Sequence, residues 1–246
     1  IKPNTKVVFT ESPGSLTFEV QDIPAIAKAA HAAGALVVLD NTWATPLFFR
    51  PFEHGVDLSL QAVTKYINGH SDVIMGVVTG SKALVKRLRR TNNLDGGHVN
   101  PQDCYLALRG LRSMAARLAR HQETALRLAS WLEARPEVVR MLHPAFASCP
   151  GHELWKRDFT GSSSLFSFLM KPVPRPALAA MVEGMRIFRM GFSWGGYESL
   201  MLPVDKTLTR TAVPWAQEGV LVRIHAGLED AGDLIADLDA GFARIK

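Results

Sequence analysis

Two residues stand where the chain leaves a strand-like run, and they carry complementary chemistry. Asp40 closes the run Ala35-Leu-Val-Val-Leu-Asp, and Lys65 closes Gln61-Ala-Val-Thr-Lys. Each has an ordinary reading by itself. An aspartate before Asn41-Thr42 can form an Asx turn or an N-cap, and a lysine after a strand can be a solvated loop residue. Together they offer more. A lysine amine can form a Schiff base with a carbonyl, while a nearby carboxylate can hold a heterocyclic cation. That is the pairing a pyridoxal phosphate site needs.

The elements that must position them read as an α/β arrangement. A strand is expected at residues 7–9, a helix at 22–33, and strands at 35–39, 56–63 and 73–79, apolar on both faces and so buried in a parallel or mixed sheet. Asp22 as N-cap, Pro24 in the first turn and Gly34 just past the end bound the helix chemically. Alternation of this kind marks a sheet covered by helices on both faces, with ligands gathering at the carboxyl ends of its strands. Residues 101–135 then predict one long helix with Leu106, Met114, Leu118, Leu126 and Leu132 along one stripe and Pro136 closing it. Beyond it, strands at 138–142, 165–170, 187–192 and 220–224 and helices at 176–183 and 231–244 give an α+β region. The expected division is residues 1–110 and 111–246, joined by that helix.

Composition narrows the class. The 246 residues are 47% hydrophobic and 21% charged, which excludes disorder and fibrous repeats. No apolar run approaches the roughly 18 residues of a spanning helix, so no membrane association is expected. A net charge of +5 invites nucleic acid, but no nucleic-acid motif accompanies it. The basic residues Lys82, Lys86, Arg87, Arg89 and Arg90, and likewise Arg109, Arg112, Arg117 and Arg120, read as solvated helix faces. Cys104 and Cys149 form no paired motif, which suits a reducing cytoplasm. His143, Cys149 and His152 lack the regular spacing of a zinc site, so no metal is expected.

Longer stretches carry a family resemblance. TKYINGHSD at residues 64–72 resembles the cofactor-lysine signature of the Cys/Met-metabolism (trans-sulfuration) family of pyridoxal phosphate enzymes. ESPGSLTFEVQDI at 11–23, LDNTWATP at 39–46, GHELWKRDFTGSSSLFSF at 151–168, SWGGYESL at 193–200 and the segment 224–245 extend the likeness over almost the whole chain. The resemblance is strongest to bacterial members that catalyse β-elimination. Relatives of γ-type commonly read SLGGVESL, and carry serine where this chain has Ala62.

The resemblance implies the second half of an aspartate-aminotransferase-like (fold type I) domain followed by a small α+β domain. It makes Lys65 the lysine that bonds the cofactor and Asp40 the partner of the ring nitrogen. Thr64 would place its hydroxyl on the phosphate, and Ala62 offers none. Arg223 matches the arginine that grips the substrate carboxylate, with Ser193 and Trp194 beside it. Phe192, where a close relative has tyrosine, stays unassigned; His70 is read as a turn residue and Gly195-Gly196 as a turn beside the substrate. The implied reaction is β-elimination of cystathionine to homocysteine, pyruvate and ammonia. A γ-lyase, a γ-synthase or a non-catalytic module are the alternatives. A homotetramer, built as a dimer of dimers, is implied as the assembly. Family members also have an upstream phosphate cup and a stacking tyrosine, neither of which is among these residues. The abrupt opening at Ile1 is read accordingly, and the 246 residues alone are expected to bind cofactor weakly.

Overall fold

The computed structural model describes residues 1–245. Its elements run β1 (Val7–Glu11), α1 (Ile23–Ala32), β2 (Leu36–Asp40), α2 (Thr45–Phe48), a 3-10 turn (Pro51–His54), β3 (Leu58–Ala62), β4 (Gly76–Gly80), α3 (Lys82–Leu94) and α4 (Pro101–Glu133). There follow β5 (Val138–Leu142), α5 (His152–Asp158), β6 (Leu165–Met170), α6 (Arg175–Glu183), β7 (Leu200–Pro203), a 3-10 turn (Asp205–Thr207), β8 (Val220–His225) and α7 (Ala231–Ala243).

Two four-stranded sheets form. The first has the order β1-β2-β3-β4, with β1, β2 and β3 parallel and β4 antiparallel to β3. Val37 and Leu39 of β2 point into a core with Ile23, Ala27 and Ala30 of α1. The helix is bounded as its sequence suggests: the Asp22 side chain accepts from Ala25 N, and Gly34 follows the end at φ +71°. The second sheet has the order β5-β6-β8-β7, all antiparallel neighbours, and packs Phe166, Phe168, Val222 and Ile224 against Leu128, Leu132, Leu238 and Phe242 of α4 and α7.

Several expectations are corrected. Burial on both faces, expected for residues 35–39, 56–63 and 73–79, fails at the last of these: Val78 is 39% exposed, because β4 is an outer strand of its sheet. The strand expected from residue 73 begins at Gly76, since the Thr64 hydroxyl engages the backbone of Met75 from both sides, accepting from its N–H at 3.0 Å and donating to its carbonyl at 3.3 Å. Residues 187–192 form no strand, only an isolated bridge from Arg189 to Leu200. Their neighbouring N–H groups are taken by a side chain instead of a ladder: Arg186, Ile187 and Phe188 all donate to the Asp237 carboxylate of α7 at 2.7–3.1 Å. The strand lies at β7, where Pro203 and short length hide it. Arg117 is not a solvated residue; it is 8% exposed, unlike the residues of α3, none of which is buried.

Candidate active site

Lys65 sits on a tight turn after β3, held by backbone bonds from Lys65 N to Ala62 O, from Asn68 N to Val63 O and from Gly69 N to Lys65 O. Arg117 of α4 braces this turn from below. Its guanidinium donates to Tyr66 O at 2.8 Å, Ile67 O at 3.3 Å and Gly110 O at 2.8 Å. Gly110 lets the helix approach, since a Cβ there would stand 2.3 Å from Asn68 O.

Asp40 ends the neighbouring strand. Its Oδ1 accepts from both the backbone N–H of Thr42, at 2.9 Å, and the Thr42 hydroxyl, and that hydroxyl accepts from Ala62 N at 2.8 Å. The Asx turn thus forms on one carboxylate oxygen and leaves the other open. Both protein bonds fall on Oδ1, so among the described residues Oδ2 has no protein partner and is available to a cationic ring nitrogen.

The second sheet brings the remaining groups to Lys65. Its Nζ donates to Ser193 Oγ at 2.9 Å and lies 5.1 Å from the centre of the Trp194 ring. Arg223, on β8 and 6% exposed, donates to Phe192 O at 2.8 Å and Gly191 O at 3.3 Å, and its guanidinium rests 5.2 Å from the centre of the Phe192 ring. Burial lowers the Lys65 pKa, and the Arg223 charge lowers it further. Burial likewise lowers that of Arg223. A depressed lysine pKa enlarges the neutral amine fraction, the form that acts as nucleophile or base. An anion between the two cations would relieve their repulsion.

The six residues singled out in the sequence thus fall in two groups that meet at Lys65: Asp40 at the end of β2 with Thr64 and Lys65 after β3, and Ser193 and Trp194 in the loop before β7 with Arg223 of β8. The Thr64 hydroxyl, expected at a phosphate, is directed to Met75 O. Sequence reasoning missed Arg117, Tyr66, Ser164 and His225. Tyr66 is buried between the rings of His121, Trp194 and His225, at 5.7, 5.4 and 6.4 Å between centres. Only the small-polar run Gly161-Ser-Ser-Ser164 hinted at such a network. His143 and His152 are each held by local backbone, through Ala145 N and Pro144 O, and the Cys149 thiol donates to Phe18 O.

The whole chain matches one family. Residues 1–243 fit the Cys/Met metabolism PLP-dependent enzymes. The chain belongs to this family. It is 46% identical to the cystathionine beta-lyase of Escherichia coli (strain K12) over 100% of its own length and 64% of that protein's, and 43% identical to an L-alanine/L-glutamate racemase of Wolbachia pipientis wMel, covering 100% of the chain and 61% of the relative. It superposes on the crystal structure of cystathionine gamma-lyase from Lactobacillus plantarum complexed with L-serine with a TM-score of 0.91 and 32% identity, covering 100% of this chain and 65% of that one. A cystathionine gamma synthase of Xanthomonas oryzae pv. oryzae, in complex with aminoacrylate and cysteine, gives 0.90 and 36%, covering 98% of this chain and 63% of the other. The mixed α/β fold is thus that of pyridoxal phosphate-dependent relatives, and the chain spans a little under two thirds of their length.

Among the described residues no helix is long and apolar enough to cross a membrane.

Proposed function

We propose that the chain carries the lysine-bearing part of a pyridoxal phosphate-dependent carbon–sulfur lyase that performs β-elimination on cystathionine. The observation that carries this reading is the convergence of Lys65 and Arg223 on one short segment: Lys65 Nζ donates to the Ser193 hydroxyl at 2.9 Å, and Arg223 donates to the carbonyl of the preceding Phe192 at 2.8 Å. When bound, the cofactor supplies an electron sink conjugated to the substrate α-carbon.

The residues divide the work. Asp40 Oδ2 would hold the ring nitrogen and favour its cationic form. Thr64 would offer its hydroxyl to the phosphate. Arg223 takes the substrate carboxylate as a fork, with Ser193 and Trp194 beside it. Lys65 would hold the cofactor through Nζ, and its amine, when free, would act as the base that removes the substrate α-proton and could deliver a proton to the departing sulfur. Homocysteine leaves, and hydrolysis yields pyruvate and ammonia. The resemblance further supports residues 1–110 as part of a larger cofactor domain, 111–246 as a small domain, and a cytoplasmic homotetramer as the working form.

A γ-eliminating or γ-replacing reaction is the second reading, favoured by the close superposition on the gamma-lyase and gamma synthase structures. Product analysis with cystathionine separates them. Pyruvate is the expected product, and 2-oxobutyrate overturns β-elimination. Racemised amino acid without either keto acid would show that only the α-proton step is retained.

A further inference from the structure

Arg223 and His225 occupy alternate positions of β8 and so face the same side of the sheet. Arg223 belongs to the substrate site described above; His225 has no assigned role. It is 1% exposed, and both of its ring nitrogens are engaged. Nδ1 lies 2.6 Å from Ser164 Oγ, which lies 2.7 Å from the hydroxyl of Tyr66, the residue after Lys65. Nε2 lies 3.2 Å from Gly195 N and 3.1 Å from Gly196 O. One ring thus joins the segment after the lysine to the turn after Trp194. Gly195 in that turn packs directly on Lys65.

We infer that His225 is a positioning residue: through Nε2 it holds the Gly195–Gly196 turn against Lys65, and so sets where Ser193 and Trp194 stand relative to the Lys65 amine and the substrate carboxylate. The inference rests on the reading of Lys65 and Arg223 as the site. Either neutral tautomer serves. With Nε2 bare, the ring accepts from Gly195 N–H and Nδ1–H donates to Ser164 Oγ. With Nε2 protonated, it donates to Gly196 O while the Ser164 hydroxyl donates to Nδ1. The imidazolium would give up the first arrangement and place a third cation beside Arg223 and Lys65. Burial, with the nearby charges, keeps the ring neutral, pushing its pKa down to about 3.

The two nitrogens can be separated by substitution. His225→Gln can place an amide group near the position of Nε2 and keep a contact with the turn, whereas His225→Asn reaches only to the position of Nδ1 and keeps a contact with Ser164. Both replacements are polar, so a purely structural role would treat them alike. In the cofactor-loaded protein, His225→Asn is expected to raise KM for the amino acid substrate about tenfold or more, with kcat reduced less, while His225→Gln stays within about threefold of the parent. Amide exchange of a peptide spanning residues 191–200 is expected to quicken in the Asn variant and not in the Gln variant. His225→Phe should behave as the Asn variant; if it does not fold, the Asn and Gln pair decides. Equal KM and equal exchange in these two, with equal melting temperatures, overturn the inference. Borohydride trapping of cofactor on Lys65 in the unsubstituted protein tests the underlying site separately. Its failure would remove that reading, while the exchange comparison still decides whether His225 holds the turn.

Discussion

Gly195 lies against the backbone of Lys65: a Cβ built on it would stand 2.8 Å from the Lys65 Cα. The glycine also has φ +84°, a conformation that costs other residues energy. Two chain segments far apart in sequence therefore meet at a point that tolerates no side chain. Gly195→Ala is expected to displace the turn and lower kcat/KM at least about tenfold, since both steric overlap and left-handed strain act at once. Steady-state kinetics beside a thermal melt will show whether the loss exceeds any change in folding.

Lys65→Ala removes the amine that donates to Ser193. Covalent cofactor attachment should disappear, and turnover with it, while the fold persists because the turn is held by backbone bonds and Arg117. Borohydride reduction followed by peptide mass analysis checks this. A chromophore that is still reducible onto protein would reassign the lysine.

Arg223→Lys keeps the charge but loses the planar fork, and a lysine ammonium cannot reproduce two parallel bonds to a carboxylate. KM for the amino acid should rise roughly 10-fold to 100-fold, the equivalent of about 1.5–3 kcal/mol for a charge-assisted bond. Cofactor attachment should survive, because Lys65 is untouched. Kinetics and borohydride trapping on the same preparation separate the two effects.

Asp237 accepts from three backbone N–H groups, that of Phe188 in a buried bond, and is itself 6% exposed. Asp237→Ala strands those donors and is expected to cost about 3 kcal/mol or more, lowering the melting temperature by about 6 to 12 °C. Asp237→Asn, which keeps one acceptor oxygen, should cost less. Thermal denaturation of both variants measures the difference.

Three buried histidines set an acid limit on stability. Burial pushes His121 down to about 4 and His143 and His225 down to about 3. Below the unfolded value near 6.5 the unfolded chain binds protons that the folded one refuses, so unfolding is favoured as pH falls. The stabilisation is fully present above pH about 6.5 and is lost progressively towards the folded values. The slope is about 1.4 kcal/mol per histidine per pH unit in that window. His143 packs against Phe146 and Phe166, away from the site, so His143→Leu should flatten the slope of melting temperature against pH between about 6.5 and 4.5 without changing substrate KM. An unchanged slope would show that His143 is not the group responsible.

The local signals in the chain were strong where chemistry is local. Asp22, Pro24 and Gly34 bounded α1; the apolar stripe and Pro136 announced α4, whose last residue lies two positions short of the expected end. Asp40 and Lys65 are conspicuous because each closes a strand-like run, and the motif around Lys65 makes the family legible in the sequence. Edges were not legible. Val78 lies in a run that reads as buried on both faces, and only the strand order places it on an outer strand. The segment 187–192 has strand composition, yet the N–H groups of Ile187 and Phe188, with that of Arg186 before them, are claimed by a carboxylate some fifty positions away.

By itself, then, the sequence determined the residue types offered and, for Asp40, Thr64, Lys65 and Arg223, the strand each lies on or follows, since strand endings, caps and a specific lysine motif are written in neighbouring residues. The tertiary structure alone decided which of them share a space. Lys65 and Ser193 are separated by 128 positions and joined by one 2.9 Å bond; Arg117 passes from an apparent surface charge to a buried brace; His225 becomes a clasp between two segments. Hydrogen bonding and burial depend on groups brought together from distant parts of the chain, and no local pattern encodes that meeting.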